Sequence, residues 1–383
     1  MWTTLGDLFT LQAGKNIAAK EIYPEFSEIY KYPCFGGNGI RGFVSNFNRN
    51  GDFPIIGRQG ALCGNVNLAI GDFYATEHAV VVERFSDTDL MWTYYVLIAL
   101  NLNQYATATA QPGLAVNVIN DVIVPVPPFQ EQCRISKAVT RLFSLINEIE
   151  HGKQKLQGTI KQTKSKVLDL AIHGKLVPQD LNDEPASELL KRINPKAEII
   201  TDNGHYQKLP VGWCLTKVKD AFIINPKNKE NDDIEAGFVP MANISDGFSN
   251  HFSFETKKWE TIKSGFTHFS DGDIAVAKIS PCLENRKSMV LSNLPNGIGA
   301  GTTELHVFRP LCVTQLYGLY FFKSNYFINK CIGTFNGVVG QQRVGKNIVE
   351  CIDFPLPPLA EQQRIVAKIE EIFQQLDMIE TAL

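Results

Sequence analysis

The sequence predicts a mixed α/β protein assembled twice from one unit, with a long helix closing each unit. Three observations predict it. First, residues 125–150, PVPPFQEQCRISKAVTRLFSLINEIE, return altered at 355–380 as PLPPLAEQQRIVAKIEEIFQQLDMIE. Every matched pair stands 230 positions apart: Pro127 and Pro357, Pro128 and Pro358, Glu131 and Glu361, Gln132 and Gln362, Arg134 and Arg364, Ile135 and Ile365, Phe143 and Phe373, Glu150 and Glu380. A fixed period marks a chain built from repeated units. Second, short β-branched runs bounded by glycine and asparagine precede each repeat. Third, apolar residues keep a 4,3 spacing through both repeats, the pattern of a helix with a packing seam. Such a chain can present two similar surfaces with approximate twofold symmetry, as a two-part target requires.

The first body is expected over 1–127. Its strand signals are Phe53-Pro-Ile-Ile56 and Ala79-Val-Val-Val82, and CFGGNGIRGF (34–43) reads as tight turns. The long apolar stretch 89–103 predicts a buried helix, as does 313–332 in the second body. The first long helix is expected over 128–175, since Pro128 suits a helix start, where a missing N–H costs little. Its seam runs Ile135, Val139, Leu142, Ile146, Ile149, Leu156, Ile160, Val167 and Leu170, with Lys153 and Thr163 in two slots. That stretch of 36 residues is about 53 Å long at 1.5 Å per residue. Gly174 and Pro178 end it. Residues 176–209 hold a short helix starting near Asp183, with Pro185 in its first turn, and then a polar linker.

The second body is expected over 210–357, with strand signals at Asp273-Ile-Ala-Val-Ala277 and Val307-Phe308. The repeat extends into the bodies. Trp2-Thr-Thr-Leu-Gly-Asp7 matches Trp213 to Asp220, Thr76-Glu77 matches Thr303-Glu304, and Gln111 to Val116 matches Gln341 to Gly345. The second helix, 358–383, carries Ile365, Ile369, Ile372, Leu376, Ile379 and Leu383 on the same spacing. It is shorter than the first, so either it is cut short or the helical pair is unequal.

Composition narrows the class. A chain of 383 residues with 44% hydrophobic content exceeds one ordinary core and is too apolar for disorder. The net charge of −3 argues against an overall basic nucleic-acid glove but leaves room for local basic stripes. Clusters occur at Arg41, Arg49 and Arg58; at Lys217, Lys219, Lys227 and Lys229; and at Lys257, Lys258 and Lys263. The eight cysteines are scattered singly with no CxxC, which fits a reducing cytoplasm and indicates neither zinc nor a redox dithiol. No apolar run reaches membrane-spanning length, and the first ten residues lack a secretory pattern.

Catalytic motifs are missing. Gly340-Gln-Gln-Arg-Val-Gly-Lys-Asn347 has Walker A spacing, but Asn347 replaces the Ser/Thr that holds magnesium. The residues that follow, through Pro355, read as a strand ending at proline rather than a phosphate-capping helix. No G-x-G-x-x-G follows a strand, and the seven histidines show no ligand spacing. His78 after Glu77 reads as a structural histidine.

Several longer motifs together resemble the specificity subunit of a Type I restriction–modification system. They are residues 355–366 with their partner at 125–135, His173 to Asp180, Asn182 to Leu190, and Pro210-Val-Gly-Trp213. Tyr32 to Ile40, Gly57 to Gly64 and Tyr74 to His78 look like motifs inside a first target-recognition domain. The resemblance covers nearly the whole chain. It implies two target-recognition domains, at 1–127 and 210–357, separated by two long antiparallel coiled-coil helices. Each domain would read one half of a bipartite, asymmetric site in double-stranded DNA. The partners implied are two methyltransferase subunits and, optionally, two restriction (motor–nuclease) subunits, with no membrane. The chain itself would be non-catalytic and hold no cofactor, with S-adenosylmethionine, ATP and magnesium on the partners. Accordingly, no Asn-Pro-Pro-aromatic motif of amino-methyltransferases occurs.

Base edges are read by arginine on guanine and by asparagine or glutamine on adenine, while lysines fix register on phosphates. The expected DNA-contacting residues are Asn38, Arg41, Arg58 and Gln59 in the first body. In the second they are Asn243, Lys257, Lys258, Lys278, Asn285, Arg286 and Lys287. Two other classes compete. A coiled-coil adaptor that never meets DNA would explain the heptads but not the Gly/Asn/Arg-rich loops. An independent nuclease or methyltransferase would need a motif that the sequence lacks.

Overall fold

A computed structural model describes residues 1–85, 87–107, 112–200, 209–334 and 342–383. The chain divides into two units, Met1–His151 and Gly152–Leu383.

The first unit runs β1 (Trp2–Thr4), α1 (Leu5–Leu8), β2 (Phe9–Ala13), β3 (Tyr32–Gly36), β4 (Gly39–Val44), β5 (Arg49–Asn50), β6 (Phe53–Gly57), β7 (Val66–Ala69), β8 (Asp72–Ala75), β9 (Ala79–Arg84), α2 (Leu90–Ala99), α3 (Val116–Asn120), β10 (Ile123–Pro125) and the start of α4 (Phe129–Ile172). Two four-stranded sheets form, in the orders β2-β9-β6-β7 and β4-β3-β8-β5. Strand residues alternate between faces. On β6 and β9, Ile56, Val80 and Val82 join a core with Leu5, Phe9, Trp92 and Leu97. Their neighbours Ile55 and Val81 join a second core with Phe35 and Phe73. Burial on both faces explains why these runs read as continuously apolar.

The second unit begins in the C-terminal half of α4 and continues with α5 (Ala186–Ile193), β11 (Cys214–Lys217), α6 (Val218–Ala221), β12 (Phe222–Ile224), β13 (Glu235–Val239), β14 (Glu255–Lys258), α7 (Trp259–Ile262), β15 (Thr267–Ser270), β16 (Ile274–Ala277), β17 (Ser288–Val290), β18 (Ile298–Gly301), β19 (Leu305–Pro310), α8 (Gln315–Lys323), α9 (Asn325–Ile332), α10 (Lys346–Glu350), β20 (Asp353–Leu356) and α11 (Leu359–Thr381). Its sheets run β12-β19-β16-β17 and β14-β13-β18-β15, the same connectivity as in the first unit. The same alternation recurs: Ile274, Val276 and Phe308 face one core, Ala275, Val307 and Leu305 the other. The period of 230 survives in α3 and α10, β10 and β20, and the first residues of α4 and α11.

Strand pairing refines the repeat. Trp2 pairs with Pro125 and Leu215 with Pro355, so Trp2 matches Leu215 rather than Trp213, while Asp7 and Asp220 do match. Thr76 matches Thr302, one residue earlier than expected: their amides donate to Phe35 O and Val239 O at 3.0 and 3.3 Å. The apolar stretch 313–332 is two helices, not one. Ser324 has extended backbone and its hydroxyl accepts from the Phe327 amide, capping α9. Pro185 is the N-cap of α5 rather than part of its first turn. The segment after Gly345 is the short helix α10 and then β20, not the single strand expected. Gln111, His205, Gly340 and Gln341 lie outside the described residues.

The shared Pro-Pro-x-x-Glu-Gln motif has a mechanical explanation. Gln132 Oε1 accepts from the Asp89 amide at 3.0 Å, and its Nε2 donates to Pro127 O at 2.9 Å. Gln362 does the same with the Thr314 amide at 2.7 Å and Pro357 O at 3.1 Å, and adds Cys312 O at 3.2 Å. Asp89 and Thr314 are the N-caps of α2 and α8. Each glutamine therefore clips the start of a long helix to the apolar helix of its own body.

The expected seam divides by burial. In α4, Val167, Leu168, Ala171 and Ile172 share a core with Ile365, Ile369 and Phe373 of α11, and Ile160 is buried as well. Leu142, Ile146 and Ile149 are exposed. Polar contacts between the two helices run in opposite chain directions. Lys153 Nζ donates to Leu383 O at 2.5 Å, Lys164 pairs with Asp377 and Glu380, and Gln179, just past α4, reaches Glu361 at 3.1 Å.

Candidate nucleic-acid interface

Glycines bring the first site together. A Cβ on Gly57 would stand 1.8 Å from Gly37 O, and one on Gly37 would stand 2.6 Å from Gln59 O. Only bare backbone allows the turn after β3 to touch the end of β6. A Cβ on Gly36 would likewise strike the Arg41 stem at 2.3 Å. An open groove of about 530 Å³ results, lined by Asn38, Arg41, Gln59, Leu62 and His78 among others. Three of the four residues expected here thus share one groove. Asn38 and Arg41 are exposed, and Asn38 Oδ1 accepts from Asn65 Nδ2 at 3.1 Å.

Arg58 stands directly opposite His78, whose carbonyl accepts from the Arg58 amide at 2.9 Å. Among the described residues six buried side-chain atoms lack a hydrogen-bond partner within the protein, and four lie here: Arg58 Nε, Asn67 Nδ2, Glu77 Oε2 and His78 Nδ1. Buried polar groups are normally paired, so this concentration calls for an explanation. Glu77 Oε1 lies 3.3 Å from His78 Nε2.

The second unit repeats the frame with other side chains. The Lys278 amide donates to Glu304 O at 2.9 Å, as Arg58 does to His78. Lys278 O accepts from Val344 at 2.9 Å, as Arg58 O does from Leu114 at 2.8 Å. The Ser280 amide reaches Gln342 O at 2.8 Å, as Gly60 reaches Pro112 O at 3.0 Å. Thr302 Oγ1 accepts from the Glu304 amide at 3.2 Å, as Thr76 Oγ1 does from His78 at 3.4 Å. Lys278 therefore takes the place of Arg58, Glu304 that of His78, and Arg343 that of Gly113. Arg343 holds Glu304 in a bidentate pair at 2.7 and 3.0 Å. That hydrogen bonding keeps the Glu304 carboxyl below the ordinary glutamate range.

The other residues expected in the second body are dispersed. Asn243 lies within the loop 241–247 and Asn285 beside it, with Asn285 O accepting from the Gly247 amide at 2.8 Å. Lys257 and Lys258 lie at the opposite end of β13, paired in register with Ala236 and Glu235. Lys257 Nζ is 4.0 Å from the Phe238 ring centre and 2.9 Å from Glu255, and Lys258 is 3.6 Å from Asp233. Arg286 and Lys287 are engaged inside the fold. Arg286, at φ +60°, donates to Lys323 O at 3.0 Å and Asn325 Oδ1 at 2.5 Å, and lies 4.9 Å from the Phe248 ring centre. Lys287 Nζ donates to Ile244 O at 2.6 Å and stands 3.6 Å from Asp246. The backbone acceptors Lys323 O, Ile244 O and Met241 O lie 37 to 46 residues away in sequence, beyond local pattern reading.

Glu304 and Arg343 were not among the expected contacts. The match of 341–345 to 111–116 held the signal, because it puts Arg343 at the position of Gly113. Among the described residues no cluster of His, Cys, Asp or Glu could hold a metal, and no helix is long and apolar enough to cross a membrane.

Two α/β bodies of identical strand order, each closed by a helix from one repeat, define a duplicated α/β module. The chain belongs to the family of the Type I restriction modification DNA specificity domain, whose model matches residues 2–157 and 210–383. It is 43% identical over 247 residues to the Type I restriction enzyme EcoAI specificity subunit of Escherichia coli, covering 60% of this chain and 42% of that one. It is 40% identical over 255 residues to the EcoEI specificity subunit of Escherichia coli, covering 62% and 43%. The chain thus spans less than half the length of these curated relatives. They are named as specificity subunits, not as methyltransferases or nucleases. The fold matches the crystal structure of the HsdS subunit from Thermoanaerobacter tengcongensis with a TM-score of 0.54 at 15% identity, covering 100% of this chain and 91% of that one. A chain solved in work on complex assembly and conformational transition of the type I R-M system gives 0.62 at 15%, covering 100% and 92%.

Proposed function

We propose that this chain is the non-catalytic DNA-specificity subunit of a Type I restriction–modification complex, acting in the cytoplasm. Each body reads one half of a bipartite, asymmetric site in double-stranded DNA. The observation that carries this reading is the matched backbone frame with unlike side chains: Arg58 and His78 in one body, Lys278, Glu304 and Arg343 in the other. One frame with two chemistries is what reading two different half-sites requires.

Asn38, Arg41, Arg58 and Gln59 contact DNA from the first body, and Asn243, Lys257, Lys258, Lys278 and Asn285 from the second. Arg286 and Lys287 act by holding the loops that carry these residues. The two long helices form an antiparallel coiled-coil spacer, supported by the opposed order of the Lys153, Lys164 and Gln179 contacts. The complex contains two methyltransferase subunits and, optionally, two restriction subunits, which bring S-adenosylmethionine, ATP and magnesium. With a net charge of −3, the chain leaves much of the phosphate contact to its partners. DNA affinity therefore rises when the methyltransferase joins.

The test is genome-wide methylation mapping in cells carrying this chain and its partners. A two-part motif is expected. Inserting four helical residues into the spacer lengthens it by about 6 Å, close to two base pairs of 3.4 Å each. The spacer of the motif should lengthen while both half-sites stay the same; an unchanged spacer rejects the ruler.

A further inference from the structure

Resting on that reading, we propose that Leu62 is a specificity-determining residue of the first body, packing its side chain on the 5-methyl group of a thymine in the major groove.

Leu62 is 55% exposed and lines the open groove with Asn38, Arg41 and Gln59. A single exposed leucine is ordinary on a protein surface and by itself means nothing. The turn that carries this one sets it apart. The Cys63 amide donates to Gly60 O at 3.0 Å, and the Asn65 amide donates to Leu62 O at 3.1 Å. The Gly64 amide donates to Gly57 O at 2.7 Å, and Asn103 Nδ2 donates to Cys63 O at 2.9 Å. Cys63 is buried, and a Cβ on Gly64 would stand 2.4 Å from the Asn103 amide nitrogen. The chain on both sides of Leu62 is therefore held, and its side chain stands out from a fixed backbone.

The surroundings decide what covers it. Asn38, Arg41 and Gln59 are exposed and offer the groups that match adenine and guanine edges. An apolar group among them suits the one apolar feature of the major groove, the thymine methyl. Gly37, Gly60 and Ala61 also line the groove, and their small size leaves room for a base edge. A side chain carried on a fixed backbone gives up little freedom when it is covered. The contact needs only groups that solvent already reaches in the free chain.

The second body treats the matched turn differently. That turn starts at Ser280, whose amide reaches Gln342 O as the Gly60 amide reaches Pro112 O. Its leucine, Leu283, is buried, and Pro281, Glu284 and Asn285 are exposed instead. The second turn presents mainly polar groups, so the methyl contact belongs to one half-site only.

The experiment uses the full chain with its methyltransferase on duplexes carrying the motif that the complex methylates. Each thymine, on either strand, is replaced in turn by deoxyuridine, which lacks only the 5-methyl group, and binding is compared. In the wild type, one replacement in one half-site should weaken binding about fourfold, the value of one buried methyl group. In Leu62→Ala the same replacement should cost nothing further. Leu62→Met keeps an apolar side chain and should keep the sensitivity. Both variants should melt as the wild type does, since Leu62 is exposed. No effect of any replacement in the wild type, or an equal effect in the wild type and Leu62→Ala, overturns the assignment while sequence-specific binding stands. A wild-type complex that distinguished no sequence would overturn the functional reading and this assignment with it.

Discussion

At the matched strand end, the first body leaves Arg58 Nε, Glu77 Oε2 and His78 Nδ1 buried without partners, whereas the second closes the position with the Glu304–Arg343 pair. The backbone around both is the same. The difference shows that the frame is specified by repeated backbone hydrogen bonds and one repeated threonine hydroxyl, not by the side chains it presents; even Gly57 has Ala277 in its place. Those side chains are then free to diverge without loss of fold. An internal duplication thus supplies its own control: what is common to the two bodies is scaffold, and what differs is available for recognition.

The comparison is broken most severely at Gly57. Gly57→Ala would push a Cβ to 1.8 Å from Gly37 O, and no side-chain movement relieves a backbone clash. A loss of about 3 kcal/mol or more is expected, confined to the first unit in a thermal melt followed by hydrogen exchange.

Next comes Lys323. It aligns with Ile98 when α8 is laid on α2, yet it is fully buried where Ile98 is 44% exposed. Burial first, and Arg286 second, push its pKa down to about 7. Between that value and the ordinary lysine range the unfolded chain binds the extra proton, so stability rises with pH from about 7 towards 10. The expected slope is about 1 kcal/mol per pH unit. Urea denaturation of the wild type and of Lys323→Met at pH 7 and pH 9 checks this; an equal slope in both removes Lys323 as its source.

The two glutamine clips offer a smaller, paired test. Gln362 has three partners and Gln132 two, all protein backbone. Gln362→Ala should cost about 2 kcal/mol and Gln132→Ala about 1 kcal/mol, by denaturant titration. The smallest effect is expected at Arg343→Ala. Glu304 ionises more readily in the fold than in the unfolded chain, so its contribution is present above the ordinary glutamate pKa and lost as pH falls through the lower folded one. Removing Arg343 should flatten the acid side of the stability curve without altering its level in strong acid.

The repeat was legible because its helices and the strands before them keep one offset. The paired apolar strands were legible as runs, since both faces of β6, β9, β16 and β19 are buried. The break at Ser324 escaped notice because one hydroxyl decides it within an otherwise apolar stretch. The groove residues Asn38, Arg41 and Gln59 were legible from the glycines beside them. Glu304 and Arg343 were not, because their pairing spans 39 residues. Lys287 and Arg286 looked like free cations in sequence; only the folded loops supply the carbonyls that engage them.

Each body is tied at both ends in the same way: β1 to β10 and β11 to β20 zip its two termini together, and a glutamine latches the outgoing helix. In practical terms this makes a body a cartridge with a standard plug. Replacing everything between the zipped strands would leave the strand half of the plug untouched, so a new cartridge needs only to fold and to offer the glutamine a backbone amide where Asp89 and Thr314 now stand.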